Sequence, residues 1–286
     1  MKGGCFLAMM DSWNTNVRVS TKPGELHSQM TAEEYISNIL SRITADTSAT
    51  SPALAVRDVL LPALTNWGSG FLNSVTPSGS FAKGTAITTG TDIDLFVSMN
   101  ATTPGSLEEL YKSLGERLRC EGYSCREQNV SLNIKVSGFS VDLVPARLQD
   151  QQGQDHSLFR RRAKTWTKTN IQLHIAAVRS AGRERETRLI KLWRNQQNLD
   201  FPSFYLELSV IRALGVARPS PTPGTWAGNL WAVFKYLRDN VVDARIEDPG
   251  NTNNTISDDL NDSEKRLIKA AAERALGSKT WAEIIK

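Results

Sequence analysis

The chain is poor in cysteine. Cys5, Cys120 and Cys125 are the only three in 286 residues. An odd, small number builds no disulfide framework. Cys120 and Cys125 have no second Cys or His pair nearby, so no zinc site is expected. The reading is reduced thiols in a cytoplasmic protein. Histidine is as sparse, with His27, His156 and His174 scattered along the chain. Long apolar runs are missing too: none reaches the ~18 residues expected of a membrane span. Residues 1–10 are briefly apolar, but Asp11 interrupts them too soon for a signal peptide; Met9 or Met10 offers an alternative start. Neither sign of charge dominates. The formal net charge of +4 suits a protein handling polyanionic nucleotides, and equally many that touch no nucleic acid. Nucleic-acid binding is not favoured on that ground.

What is present is ordinary soluble composition, 40% hydrophobic and 22% charged. The length suits one sizeable domain or two small packed lobes.

Residues 31–46 read as a helix, opened by a capping box of Thr31 and Glu34. A second helix covers 52–67, with Val56, Val59, Leu60 and Leu64 on one face and Pro62 as a possible kink site. Residues 71–75 suggest a strand, 77–80 a turn, and 92–97 a strand that is apolar except at two aspartates. A helix at 106–121 opens on a second capping box, Ser106 and Glu109. Runs at 130–136 and 139–145, separated by Ser137-Gly138, form a hairpin. From about 168 the pattern turns helical, at 170–179, 184–197, 203–217, 225–240 and 262–276. A Pro/Gly-rich stretch at 219–224 and a polar loop at 247–259 interrupt it. The boundary is placed at 149–155. This predicts an α+β protein with an αβ lobe over 1–150 and a helical lobe over 151–286.

Asp92 and Asp94 are two apart on a strand, so their carboxylates share a face, about 6.5–7 Å apart along the chain. Such a pair can hold one hard cation and share a second. Magnesium takes oxygen ligands and keeps positions for water and phosphate. Paired metals at phosphoryl-transfer sites sit ~3.5–4 Å apart, and a third carboxylate is a natural way to hold them. Asp142 supplies it: a charge in the apolar strand Val141-Asp142-Leu143-Val144 is costly unless something compensates it. Upstream, Gly79-Ser80 ends a turn in which backbone can approach phosphate closely. It is not a Walker loop, because no Gly-Lys-Ser/Thr follows.

Pro77-Ser78-Gly79-Ser80-Phe81-Ala82-Lys83-Gly84-Thr85 followed by Thr91-Asp92-Ile93-Asp94-Leu95-Phe96-Val97 resembles the signature of the polymerase-beta-like nucleotidyltransferases. Within them it is most similar to archaeal CCA-adding enzymes, oligoadenylate synthases and the cGAS/DncV-like group. Val141-Asp142-Leu143-Val144-Pro145 resembles the third-aspartate strand of that group. Leu189-Ile190-Lys191-Leu192-Trp193 and Phe201-Pro202-Ser203-Phe204-Tyr205-Leu206-Glu207 resemble two motifs of its helical part. By that match Lys191 and Ser203 would touch the donor triphosphate and Phe204 would stack on the base. The segment at 247–254 resembles an Asp-Pro element whose implied role is to brace the helical lobe.

The compact form, without a tRNA-holding domain or a zinc-binding insertion, best resembles bacterial CD-NTases. The resemblance implies a nucleotidyltransferase lobe with a mixed or antiparallel sheet, packed on a C-terminal helical lobe that completes the nucleotide cleft. It implies two Mg2+ ions (Mn2+ as a substitute) on Asp92, Asp94 and Asp142, with Gly79, Ser80, Lys191, Ser203 and Phe204 on the nucleotide. The implied partners are ribonucleoside triphosphates and a downstream antiphage effector reached through a cyclic di- or trinucleotide product, with no membrane. The alternatives are an RNA-activated linear oligonucleotide synthase, for which the basic run Arg160-Arg161-Arg162 with Lys164 and Lys168 is the candidate surface, a CCA-adding type of RNA nucleotidyltransferase, transfer to a small-molecule acceptor, and a non-catalytic nucleotide sensor.

Overall fold

The computed structural model describes residues 30–48, 50–89, 92–217 and 225–286. The apolar opening at 1–10, Thr91 and the Pro/Gly-rich stretch at 219–224 lie outside the described residues. The chain divides into two compact units. One comprises Ala45–Glu184 and Glu247–Ile256; the other comprises the described residues before Ala45, with Arg185–Ile246 and Ser257–Lys286. Each is taken by itself. Together they are α+β, as the sequence pattern indicates.

The first unit is built on a seven-stranded sheet. Strand β1 (Leu72–Pro77) pairs antiparallel with β2 (Ile93–Met99). β2 runs parallel to the long strand β5 (Phe139–Leu148). β5 pairs antiparallel with β4 (Leu132–Val136), which carries the short β3 (Arg126–Glu127) beyond it. The expected hairpin turn is present, with Ser137 and Gly138 both at positive φ, 50° and 85°. That is the backbone of a two-residue turn matched to strand twist. The sheet continues past residue 150. β6 (His156–Arg160) pairs with the end of β5, and β7 (Thr165–Thr169) pairs with β6.

Helix α2 (Pro52–Gly68) starts with its proline in the first turn, where the missing N–H costs nothing, and runs straight through Pro62. It buries Val56, Leu60 and Leu64 against the sheet, whereas Val59, expected on the same face, is 53% exposed. The short helix α3 (Gly79–Lys83) occupies the segment read as a turn. Helix α4 (Leu107–Cys120) carries the expected Ser106/Glu109 capping box. Its Tyr111 hydroxyl donates to the carbonyls of Gln128 and Ser131, both at 2.9 Å, and burial pushes its pKa up to about 12. Helix α5 (Ile171–Ala181) closes this part of the chain.

The chain returns to this unit as a hairpin, β8 (Glu247–Asp248) with β9 (Asn251–Thr255), where a polar loop was expected. Its Asp248 Oδ1 accepts from His174 Nε2 at 2.6 Å and from the Gly250 backbone N–H at 2.8 Å. The Asp-Pro element is therefore pinned to α5 of the sheet unit. Burial pushes the Asp248 carboxyl up, but the His174 bond and charge, with the Gly250 and Asn254 donors, outweigh it and hold it below the usual carboxylate range. A depressed folded-state value stabilises above the unfolded value, about 3.9, and that stabilisation is lost as pH falls through the folded one. Asp248→Asn is expected to cost on the order of 1.5–3 kcal/mol at neutral pH. The gap to wild type should hold above about pH 4 and narrow progressively below it as Asp248 takes up its proton, as read by urea unfolding across pH; a gap that does not narrow on acidification contradicts the pin.

The second unit is helical. Its elements are α1 (Ala32–Ile43), α6 (Glu184–Gln196, which begins at the unit boundary), α7 (Ser203–Leu214), α8 (Trp226–Asn240), α9 (Asp262–Gly277) and α10 (Trp281–Ile284). The Thr31/Glu34 capping box opens α1 as expected. The Glu33 carboxylate accepts from the Trp226 and Ala227 N–H groups at 2.8 and 2.9 Å. A carboxylate there satisfies orphan donors and meets the positive end of α8. Trp193, Phe201, Tyr205 and Phe234 fill the interior. Among the described residues no helix is long and apolar enough to cross a membrane, and Cys120 and Cys125 are free.

Candidate active site

The register of the sheet assembles the aspartates. Asp94 on β2 stands opposite Asp142 on the parallel strand β5. Adjacent strands lie about 4.8 Å apart and register partners point to one face, so the two carboxylates share a face as neighbours. Asp92 is exposed just before β2, while Asp94 and Asp142 are half-buried. Burial pushes the Asp142 carboxyl above its ordinary value, and the Asp92 charge adds to the push. The Asn133 amide and Arg126 pull the other way.

The row continues across the sheet. Asn133 on β4 faces Asp142, and Arg126 on β3 faces Asn133. Asp94, Asp142, Asn133 and Arg126 thus form one line on one face. Asn133 Nδ2 donates to Asp142 Oδ1 at 2.7 Å, and Gln128 Nε2 donates to the same oxygen at 3.1 Å. A cavity of about 420 Å³ opens beside Tyr123, Arg126, Asn133 and Lys135. Asn133, Gln128 and Arg126 escaped the sequence reading. Their signal was the alternation of β4 and β3, which puts Asn133 on the face of Asp142 once the hairpin register is drawn.

Gly79 meets this face from above β2. The Ser78 N–H donates to the Asp94 carbonyl at 2.8 Å, and Gly79 has φ +53°. A Cβ there would fall on the Asp94 carboxylate and stand 2.9 Å from Asp94 Cβ. Glycine is required by the aspartate as well as by the turn. Gly79→Ala is expected to lower stability by about 1–3 kcal/mol through backbone strain. By pushing Asp94 aside it should lower turnover by roughly 100-fold. Steady-state kinetics with a thermal melt check both; near-wild-type turnover would show that Asp94's position is immaterial.

The donor set suits a hard divalent cation: three carboxylates, one of them held in an environment that disfavours its charge until a cation compensates it. As placed, no three Asp, Glu, His or Cys side chains among the described residues converge closely enough to enclose an ion.

Lys191, Ser203 and Phe204 lie in the helical unit. Lys191 is buried, its ammonium 2.7 Å from Glu207 Oε1. Ser203 is exposed and opens α7 beside the half-buried Phe204. A helix start offers free N–H groups to an anion. Ser203 Oγ accepts from Arg194 Nη1 at 3.0 Å, and the Phe201 carbonyl from the same nitrogen at 2.8 Å. Burial lowers the Arg194 pKa, against the raising charges of Glu207 and Asp200. Arg194 is a second cation at this place; its spacing three residues beyond Lys191 on α6 was the available signal.

No protein-family model matches the chain. Among curated proteins it is similar to the cyclic AMP-AMP-AMP synthase of Escherichia coli (strain MS 115-1), 29% identical over 213 residues. The match covers 65% of this chain and 64% of that protein, less than two thirds of the relative's length. Among solved structures, E. coli MS115-1 CdnC with ATP superposes with a TM-score of 0.68 at 24% identity, over 87% of this chain and 91% of that one. The Bradyrhizobium diazoefficiens CD-NTase CdnG in complex with GTP gives 0.69 at 15% identity, over 85% and 91%. At those identities the structures speak to the fold alone, which this chain shares with them. The resemblance drawn from the motifs is thus met again in a relative and in solved folds.

Proposed function

We propose that the chain, which is similar over 65% of its length to a cyclic AMP-AMP-AMP synthase, joins ribonucleoside triphosphates into a cyclic di- or trinucleotide and releases pyrophosphate. The observation that carries this reading is the parallel register of Asp94 with Asp142, with the Asp92 charge acting on the same carboxylate. The relative's name makes ATP the first substrate to try. The product would reach a downstream effector, in antiphage signalling.

Asp92, Asp94 and Asp142 would hold two Mg2+ ions, with Mn2+ as a substitute. Bound there, the ions would supply Lewis-acid neutralisation of phosphate charge and a lowered pKa for an acceptor ribose hydroxyl. Gly79 and Ser80 present backbone N–H groups of the first turn of α3 to the donor phosphates. In the helical unit Lys191 and Ser203 are assigned to the triphosphate and Phe204 to the base, with Arg194 adding charge beside Ser203. Arg126 and Lys135, both exposed at their cavity, offer positive charge to further phosphates. Catalysis would rest on positioning and charge neutralisation, with no nucleophilic side chain.

The test is incubation with all four ribonucleoside triphosphates and Mg2+, phosphatase treatment and mass spectrometry, with an EDTA arm. A phosphatase-resistant cyclic product, lost with EDTA, is the expected result. A linear product that requires added duplex and falls steeply with salt would instead favour the RNA-activated reading. The β6–β7 hairpin would then be the surface to examine, since it exposes Trp166 beside Arg160, Arg161, Arg162 and Lys164.

A further inference from the structure

Asp142 is held more tightly than the reaction alone explains. The Asn133 amide nitrogen has two hydrogens; one goes to Asp142 Oδ1 at 2.7 Å and the other to Ser140 Oγ at 2.9 Å. Gln128 is fixed at both ends. Its Oε1 accepts from Ser131 Oγ at 3.0 Å, which sets the amide orientation, and its Nε2 then points to Asp142 Oδ1. Its backbone carbonyl accepts from Tyr111 Oη and Arg161 Nε, both at 2.9 Å, and its N–H donates to the Ser131 carbonyl at 2.9 Å. Two neutral amides, each anchored elsewhere, therefore converge on one oxygen of a half-buried carboxylate.

A carboxylate that only had to be satisfied in the fold would be served by any donors on either oxygen. Here both land on Oδ1. We propose that Asn133 and Gln128 are positioning residues, which lock the Asp142 carboxylate so that Oδ2 is presented to the divalent cation. Amides suit the task because they fix the rotamer and favour the ionised form without adding a positive charge that would compete with the cation. Hydrogen-bond partners of metal-bound carboxylates fix the ligand's orientation in this way. The inference rests on the metal reading of Asp92, Asp94 and Asp142 given above.

The test measures Mn2+ binding by electron paramagnetic resonance in the presence of the α,β-methylene analogue of ATP, for wild type, Asn133→Ala, Asn133→Asp and Gln128→Ala, each checked by thermal melting. Asn133→Ala should weaken Mn2+ about 10- to 100-fold. Asn133→Asp should do at least as much, because it sets an acceptor against Oδ1. With substrate, kcat should fall while the nucleotide KM holds, and raised Mn2+ should restore turnover in Asn133→Ala. A merely misfolded variant would not be rescued in that way. If wild type binds Mn2+ and the folded Asn133 and Gln128 variants bind it equally well, the positioning role is overturned and the metal site stands. If wild type itself binds none, the metal reading fails and this inference falls with it.

Discussion

Asp94→Asn is expected to lower nucleotidyl transfer by about a thousandfold or more, and to leave the protein folded. The size follows from what the carboxylate would hold. Cation stabilisation of transition-state charge is worth several kcal/mol, and three decades of rate correspond to about 4 kcal/mol. Asparagine keeps the shape of aspartate, so Gly79 keeps its close neighbour and the register with Asp142 is undisturbed. The fold should survive for the same reason: the side chain is isosteric and the pairing of β2 with β5 runs through the backbone. Melting in EDTA should show Asp94→Asn and Asp142→Asn folded, while the product assay shows both near background. Full activity in Asp94→Asn would end the metal assignment. A large drop in melting temperature would show that the carboxylate serves the fold.

Much of this was legible in the sequence where a local rule decides the outcome. The two capping boxes, the Ser137-Gly138 turn and the apolar strand broken only by Asp142 each have a short-range cause, and each appears in the fold. Asp94 could be placed on its face of the strand by period, whereas Asp92 lies just before β2, where strand period does not decide its side. The parallel register that brings Asp142 opposite Asp94 could not be read that way, because it joins strands far apart in the chain. Elements whose polarity hides their period were missed. β7 reads Thr165-Trp166-Thr167-Lys168-Thr169, with no apolar alternation, yet it closes the sheet by pairing with β6. The β8–β9 hairpin, rich in Asn and Thr, read as loop, and its attachment through Asp248 to His174 spans 74 residues. Gly79 was read as room for phosphate; the structure adds that Asp94 needs the room first. Lys191 was read as a charge for the triphosphate, and its partner on the next helix was not visible.

That partner gives the second large effect. Glu207→Ala is expected to destabilise the protein by about 3–5 kcal/mol, because it removes one member of a buried ion pair. The Lys191 and Glu207 side chains are only 4% and 1% exposed, and their charged atoms meet at 2.7 Å. Glu207→Gln, which keeps an acceptor but removes the charge, should fall between wild type and alanine in urea unfolding. A paired replacement, Lys191→Met with Glu207→Leu, removes both charges at once. Such swaps at buried ion pairs are often neutral or stabilising by about 1–4 kcal/mol, so this variant should fold. It also separates the two roles that Lys191 could have. If the ammonium only balances Glu207, the folded double variant keeps its nucleotide KM. If a bound triphosphate draws on the same ammonium, as the motif match implies, the double variant loses nucleotide affinity while its melting temperature holds. A folded double variant with wild-type KM would remove Lys191 from the nucleotide site and leave Ser203 and Arg194, which meet at the start of α7, as the phosphate contacts of the helical unit.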